Sequence, residues 1–342
     1  MKRSMYIIII VIVVVIVVAQ VVVSLPQFGR LPKGERMERV EGSPNYRDGE
    51  FRNIMRTPTF TGEGNRFRAF MGMLFRKRAE NARPAEPLPL VRTELRSLPP
   101  DQDLLIWLGH SGYFMQVEGK TILVDPVLNS HASPFRWIVK AFEGTQLYTP
   151  EEMPDIDYLI ITHDHWDHLD YTTVRALRDR VSTVICGLGV GAHLERWGYE
   201  TENFVELDWH ESSGLHDGWM ITATPARHFS GRGFKRNRTL WASYVLRAEG
   251  LNLFLGGDGG YGGHFAEIGN IHGPFDLAIL EQGQYNENWR NIHLMPEELF
   301  KAADDLKAQR VLPVHNSRFA LSLHPWNEPL ELLANNGSDY PH

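Results

Sequence analysis

Asp157-Tyr158-Leu159-Ile160-Ile161-Thr162, followed at once by His163-Asp164-His165-Trp166-Asp167-His168-Leu169-Asp170, is a short apolar run that ends in a turn crowded with imidazoles and carboxylates. The apolar run has the length and composition of a buried strand. Beyond the cluster, Val174, Leu177 and Val181 recur at helical spacing in the segment from Tyr171 to Val181. The polar residues therefore sit on a strand-to-helix loop, where rigid scaffolds usually present chemistry. Histidine and carboxylate suit borderline divalent metals. A lone histidine would be a solvated turn residue, but the H-x-H-x-D-H arrangement predicts a metal site. His163 and His165 can turn toward one cation while Asp167 and His168 turn toward a second.

The rest of the composition narrows the class. With 43% hydrophobic and 23% charged residues the chain is of ordinary globular type. Its net charge of −7 argues against a nucleic-acid protein that relies on a dominant basic surface. The single cysteine, Cys186, excludes an intramolecular disulfide framework and a Cys-rich zinc site, so any metal must be held by His and carboxylate.

Met5 to Val23 is an apolar, Ile/Val-rich run broken at Gln20, long enough for a spanning helix of about 20 residues and without a good small-x-small cleavage site after it. Residues 1–24 thus read as an N-terminal membrane anchor or uncleaved signal, making the membrane a partner. Lys2 and Arg3 on one flank face Arg30, Lys33, Arg36 and Arg39 on the other, which leaves the side of the membrane open. Residues 25–102, rich in Pro, Gly, Arg and Glu, read as a linker and extended arm. Within it, residues 65–78 combine Phe and Met with five cations, as a lipid-facing flap or a segment docked on the main domain would.

From Asp103 the texture changes to short strands: Leu104–Leu108, Tyr113–Val117, Thr121–Val124, Tyr158–Thr162, Thr183–Cys186, Met220–Thr224, Leu240–Leu246, Leu251–Leu255, Asp276–Leu280 and Val311–Val314. Helical segments such as Pro296–Lys307 lie between some of them. Adjacent strand pairs are too many for simple β-α-β alternation, and two mixed sheets packed face to face with helices outside fit the pattern. His228, Asp258 and His315 each follow a predicted strand. Their recurrence at strand ends predicts one shared rim. Gly257-x-Gly259-x-x-Gly262 with Glu281 downstream imitates a dinucleotide fingerprint but lacks a following helix and a leading β-α-β unit. Gly109-His110-Ser111-Gly112 lacks the spacing of a serine-nucleophile elbow.

The H-x-H-x-D-H signature of His163, His165, Asp167 and His168 resembles that of the metallo-β-lactamase superfamily. Trp107-Leu108-Gly109-His110-Ser111, Asp125-Pro126-Val127, Asn237-Arg238-Thr239-Leu240-Trp241, Gly257-Asp258-Gly259-Gly260-Tyr261 and His293-Leu294-Met295-Pro296 extend the resemblance to the branch of N-acylphosphatidylethanolamine-hydrolysing phospholipases D. The resemblance implies a four-layer αββα sandwich of two mixed sheets over residues 103–330, followed by a C-terminal tail at 331–342. It implies two divalent cations, zinc first, with manganese or iron as alternatives. His163, His165 and His228 would hold one, Asp167, His168 and His315 the other, with Asp258 bridging. A hydroxide held between such cations attacks phosphorus or a carbonyl carbon.

Catalytic roles are implied for Asp167 and for His293, which would position phosphate or protonate the leaving oxygen. Asp125 would orient a ligand histidine, Asp164 would act as a support residue, and His110 would make a structural hydrogen bond. The implied activity is phosphodiester cleavage of an N-acylphosphatidylethanolamine-like phospholipid. Rival readings are a lactonase or other acyl hydrolase, and a metal-binding sensor without turnover. Arg227, Arg232, Lys235, Arg236 and Arg238 read as a solvated basic loop or as a phosphate-attracting one.

Overall fold

The computed structural model describes residues 2–62, 79–248 and 250–336; residues 65–78, read as a flap or docked segment, lie outside the described residues, as does 337–342 of the expected tail. An apolar helix, α1 (Lys2–Val23), comes first, and then a short helix, α2 (Glu35–Glu41), and a two-rung ribbon, β1 (Tyr46–Arg47) and β2 (Glu50–Phe51). Twelve further strands build two six-stranded sheets.

The first sheet comprises β3 (Leu104–Trp107), β4 (Tyr113–Val117), β5 (Lys120–Val124), β6 (Ile156–Ile161), β7 (Val181–Gly187) and β8 (Phe204–Leu207) in sequential order. Pairing is antiparallel from β3 to β5 and parallel from β5 to β8. The second runs β14-β13-β12-β11-β10-β9, made from β9 (Ser212–Gly214), β10 (Met220–Thr224), β11 (Ser243–Ala248), β12 (Leu251–Leu255), β13 (Leu277–Glu281) and β14 (Val311–Val314). It is antiparallel from β9 to β12 and parallel from β12 to β14. Both sheets are mixed, as the strand spacing predicts.

Alternate residues of one strand face opposite sides of a sheet, and here both sides are dry. Ile122, Val124 and Ile160 join Ile221, Tyr244, Leu253, Leu255 and Val314 in the core between the sheets. Their neighbours Leu123, Leu159 and Ile161 pack outward with Val174, Leu177 and Leu194 of α3 (Tyr171–Leu177) and α4 (Gly191–Arg196). On the far side, Phe254, Ala278 and Leu280 pack with Phe265, Ile268, Leu299 and Leu306 of α5 (His264–Ile271) and α6 (Leu299–Leu306). Strands buried on two faces read as continuous apolar runs, which is why Tyr158–Ile161 lacks polar alternation.

Several boundaries differ from the sequence reading. The helix predicted to reach Val181 stops at Leu177, because Val181 pairs in parallel with Ile156 at the start of β7. Asp170 caps its start, accepting from the Thr173 amide at 2.8 Å. Leu240, Trp241 and Ala242 are buried but precede β11: the Leu240 and Ala242 amides donate to Leu188 and Thr162 carbonyls, outside the sheet ladder. β8 and the short edge strand β9 escaped detection, since Phe204–Leu207 and Ser212–Gly214 carry weak apolar pattern. A helix, α7 (Glu328–Asn336), crosses the expected start of the tail at 331.

The described parts of 25–102 lie on the body. Val40 and Phe51 are fully buried in the inter-sheet core, and the Phe51 amide donates to the Asn237 carbonyl at 2.8 Å. Arg36 links Glu195 and Glu206.

Candidate metal centre

Most polar residues of the rim follow the carboxyl end of a strand: His110 after β3, Asp125 after β5, His163 to His168 after β6, His228 after β10, Asp258 after β12 and His315 after β14. Because β5, β6, β12 and β14 all point their carboxyl ends the same way within parallel sets, residues far apart in sequence meet at one edge of the sandwich. Three rim residues hold left-handed backbone, His110 at φ 56°, Asp125 at φ 41° and His315 at φ 69°. Non-glycine residues take this conformation at a cost, and such strain concentrates at functional sites.

The structure brings all seven sequence-predicted metal ligands together. His163, His165 and His228 form one set, with His163 Nε2 and His228 Nε2 at 2.9 and 3.2 Å from His165 Nδ1. His168 Nε2 stands 3.1 Å from Asp258 Oδ2 and 3.7 Å from Asp167 Oδ2. His315 Nδ1 lies 3.2 Å from Asp258 Oδ1 and His228 Nε2 lies 3.9 Å from Asp258 Oδ2. Asp258 thus faces both sets.

A divalent cation fits this arrangement by two tests. His168 Nε2 and Asp258 Oδ1 are buried with no hydrogen-bond partner, although buried polar groups are almost always satisfied. Burial first, and then the neighbouring rings, holds His163 and His228 well below the ordinary imidazole range. Burial likewise lowers His315, against the pull of Asp258, and brings His165 down to about 4. Neutral imidazole is the ligating form, and these four rings hold it; His168 alone among the histidine ligands is raised well above the ordinary range, against burial, by Asp258, Asp167 and Asp125. Burial opposes charge on Asp258 and Asp167 too, but the adjacent His168 keeps both carboxyls below their ordinary range.

Outer groups fix the rings. Asp125, 1% exposed, accepts from His168 Nδ1 at 2.7 Å and from the Thr162 amide at 2.8 Å. That points His168 Nε2 into the site. The Ile292 carbonyl accepts from His228 Nδ1 at 2.8 Å, and Ser111 Oγ meets His315 Nδ1 at 2.8 Å. His110 Nε2 bonds Asp167 Oδ2 at 2.9 Å and stands within the same group as His168 and His315. Asp164 points away from the rim: it meets His193 Nε2 at 3.1 Å and accepts from the Gly231 amide and Thr239 hydroxyl.

His293 borders the cluster, its Nδ1 3.9 Å from Asp258 Oδ2 and 3.0 Å from Glu281 Oε2. Glu281 also accepts from the Gly259 and Leu294 amides. Burial opposes its charge, yet Glu281 holds the His293 ring above the ordinary range. This carboxylate was missed as a site residue, because its only signal was its position at a strand end. Arg232 corrects the solvated-loop reading. It is 4% exposed, donates to the Asp164, Leu169 and Gln27 carbonyls, and stacks 3.9 Å over the Trp166 ring. Arg227 is likewise engaged, with the Tyr261 carbonyl and Asn291. Lys235 and Arg236 are exposed.

A family model described as beta-lactamase superfamily domain matches residues 120–316. An uncharacterized protein of Mycobacterium tuberculosis is 39% identical over 302 residues, covering 86% of this chain and 79% of its own length. N-acyl-phosphatidylethanolamine-hydrolyzing phospholipase D 1 of Caenorhabditis elegans is 31% identical over 228 residues, covering 61% of this chain and 62% of its own. Among solved structures, isothiocyanate hydrolase from Delia radicum gut bacteria superposes with a TM-score of 0.54 at 18% identity, covering 68% and 92% of the two chains; that likeness shows the fold.

Proposed function

Because this chain belongs to the metallo-β-lactamase superfamily and is a metal-dependent hydrolase of that fold, we propose that it is a dinuclear phosphodiesterase of phospholipase D type, acting on N-acylphosphatidylethanolamine-like phospholipids. The observation that carries the hydrolytic reading is the convergence of His163, His165, His228, Asp167, His168, His315 and Asp258, with His168 Nε2 and Asp258 Oδ1 buried and unbonded. The lipid class rests on the likeness to the Caenorhabditis elegans enzyme, which spans part of each chain. His163, His165 and His228 are the proposed ligands of one cation and Asp167, His168 and His315 of the other, with Asp258 shared. Zinc suits this nitrogen and oxygen set. Bound there, such cations lower the pKa of water and polarise a phosphoryl oxygen.

The protein's own residues supply orientation. Asp125 and the Ile292 carbonyl lock two rings by their outer nitrogens, and Ser111 holds the His315 ring at Nδ1, so little reorganisation is needed to ligate. Glu281 holds His293, whose half-buried ring can donate a proton to the departing alcohol. α1 is the proposed membrane anchor: Met5–Val23 has the length and mean hydropathy of 3.4 suited to a span, which keeps the body beside lipid.

The test is product analysis by mass spectrometry after incubation of zinc-replete protein with a mixed lipid extract, beside His165→Ala and Asp258→Ala. The expected product is phosphatidic acid, lost at least a hundredfold in either variant while both stay folded. Free fatty acid or opened lactone instead would move the chemistry to acyl transfer, and full activity in either variant would refute the metal assignment.

A further inference from the structure

α1 is joined to the catalytic body by almost no chain. It ends at Val23, and the Ser24 and Leu25 amides still donate to the Val21 and Val22 carbonyls. Ser24 is already held by the body, since Arg196 donates to its carbonyl at 2.7 Å. The next residues are pinned one after another: Trp197 Nε1 to the Pro26 carbonyl at 2.8 Å, Arg232 Nη2 to the Gln27 carbonyl at 2.9 Å, Arg196 Nη1 to the Gly29 carbonyl at 2.7 Å, and the Arg30 amide to His193 Nδ1 at 3.0 Å. From Val23 to Pro26 even a fully extended chain spans at most about 11 Å. The polar layer on each side of a bilayer's hydrocarbon core is about 5–8 Å thick. A body fastened so close to the end of a spanning helix must rest against the headgroups.

The surface at that point has the composition such a location favours. Phe28, in the pinned segment, meets Phe135 at 6.5 Å and the metal-loop Trp166 at 5.1 Å between ring centroids. Phe135 stacks on Trp137 at 5.0 Å, Gln27 bonds the Pro134 carbonyl, and Gly233 lies against Phe28. Phe28 therefore joins two loops, residues 133–140 and 231–236. Their tips are bare: Trp137 is 66% exposed, Ile138 55% and Phe234 80%. Large apolar tips of this kind are unusual on a free surface. Arg136, Lys140, Lys235 and Arg236 stand exposed on the same two loops, and neither loop carries an acidic residue. Aromatic tips among cations are what a bilayer interface accommodates, especially one with anionic lipid.

We infer that Trp137, Ile138 and Phe234 form a second membrane contact, which inserts into the interface of the same bilayer that α1 crosses and seats the rim of the metal centre on it. This rests on the reading of α1 as a spanning anchor and adds to it an orientation. Trp166 sits between His165 and Asp167, so the seated face is continuous with the metal loop. A phospholipid would then reach the rim by moving along the surface, without leaving it.

The test uses the full chain in phosphatidylcholine vesicles containing phosphatidylglycerol, with an environment-sensitive dye on Trp137→Cys, Phe234→Cys or, as control, Asp179→Cys. Cys186 is buried and does not compete for label. Asp179 is exposed and precedes the amino end of β7, at the opposite end of the sheet from the metal loop. The expected result is that brominated lipids quench the dye at 137 and 234 at least twofold and leave the dye at 179 unquenched. Vesicle flotation with equal, weak quenching at all three positions overturns the second contact and leaves the anchor standing. Failure of the protein to float overturns both. Neither readout needs turnover, so the outcome is independent of whether phospholipid is the substrate.

Discussion

Exchanging Asp125 for Asn removes a charge from beneath the metal centre while keeping its shape. Asp125 holds His168 Nδ1 at 2.7 Å and the Thr162 amide at 2.8 Å, and its φ of 41° is a conformation that Asn tolerates well. The asparagine oxygen can keep the amide contact, but its NH2 then faces the N–H of His168, donor against donor. The ring loses the anionic partner that fixes its tautomer and aim. Loss of such a partner costs about 10–100-fold in metal affinity or activity, equivalent to about 1.4–2.7 kcal/mol. Asp125→Ala also strands the buried Thr162 amide, adding about 1–3 kcal/mol to the cost of folding. The assay is zinc competition against a chelating dye, with thermal melting of metal-free protein in parallel. Asp125→Asn should bind zinc at least tenfold more weakly with little change in the metal-free melt, whereas Asp125→Ala should lower both. Zinc affinity within twofold of the original in Asp125→Asn would refute the argument that this carboxylate supports His168.

Two further predictions concern stability. Arg232→Ala leaves the Asp164 and Leu169 carbonyls without their donor and removes the cation over Trp166, so it should cost about 2–4 kcal/mol in denaturant unfolding. Arg232→Lys should not rescue it, because one ammonium cannot reproduce the planar fork, and full recovery in the lysine variant would contradict the assigned geometry. His264 is lowered to about 4 by burial and by Arg227, against an ordinary value near 6.5. The unfolded chain thus binds the extra proton, and the stability held by the neutral ring is lost as pH falls from 6.5 toward 4, by about 2 kcal/mol between pH 7 and pH 5. Unfolding at the two pH values should show His264→Gln relieved of that portion of the acid loss; an unchanged pH dependence would mean that the ring titrates in the fold as it does in the unfolded chain.

The H-x-H-x-D-H cluster was readable because its residue types, spacing and preceding strand all lie within one short segment. His228, Asp258 and His315 were readable because each stands just after an apolar run, and their convergence follows from sheets that send strand ends to one edge. The supports were less legible. Ser111 reaches His315 across 204 positions and Arg232 reaches Gln27 across 205, and no periodicity or motif records such pairs. Arg232 in particular looks like one more cation of a basic loop until Trp166 and three carbonyls are seen around it.

Ligand type, strand-end placement and the apolar span of α1 are local properties, so metal-dependent hydrolysis and a membrane-length helix could be read along the chain. Which groups hold the rings, that Glu281 anchors His293, and that the segment after α1 is pinned residue by residue beside the metal loop emerge from the folded chain alone. Those are matters of distance between parts of the chain remote in sequence, and distance is set by packing.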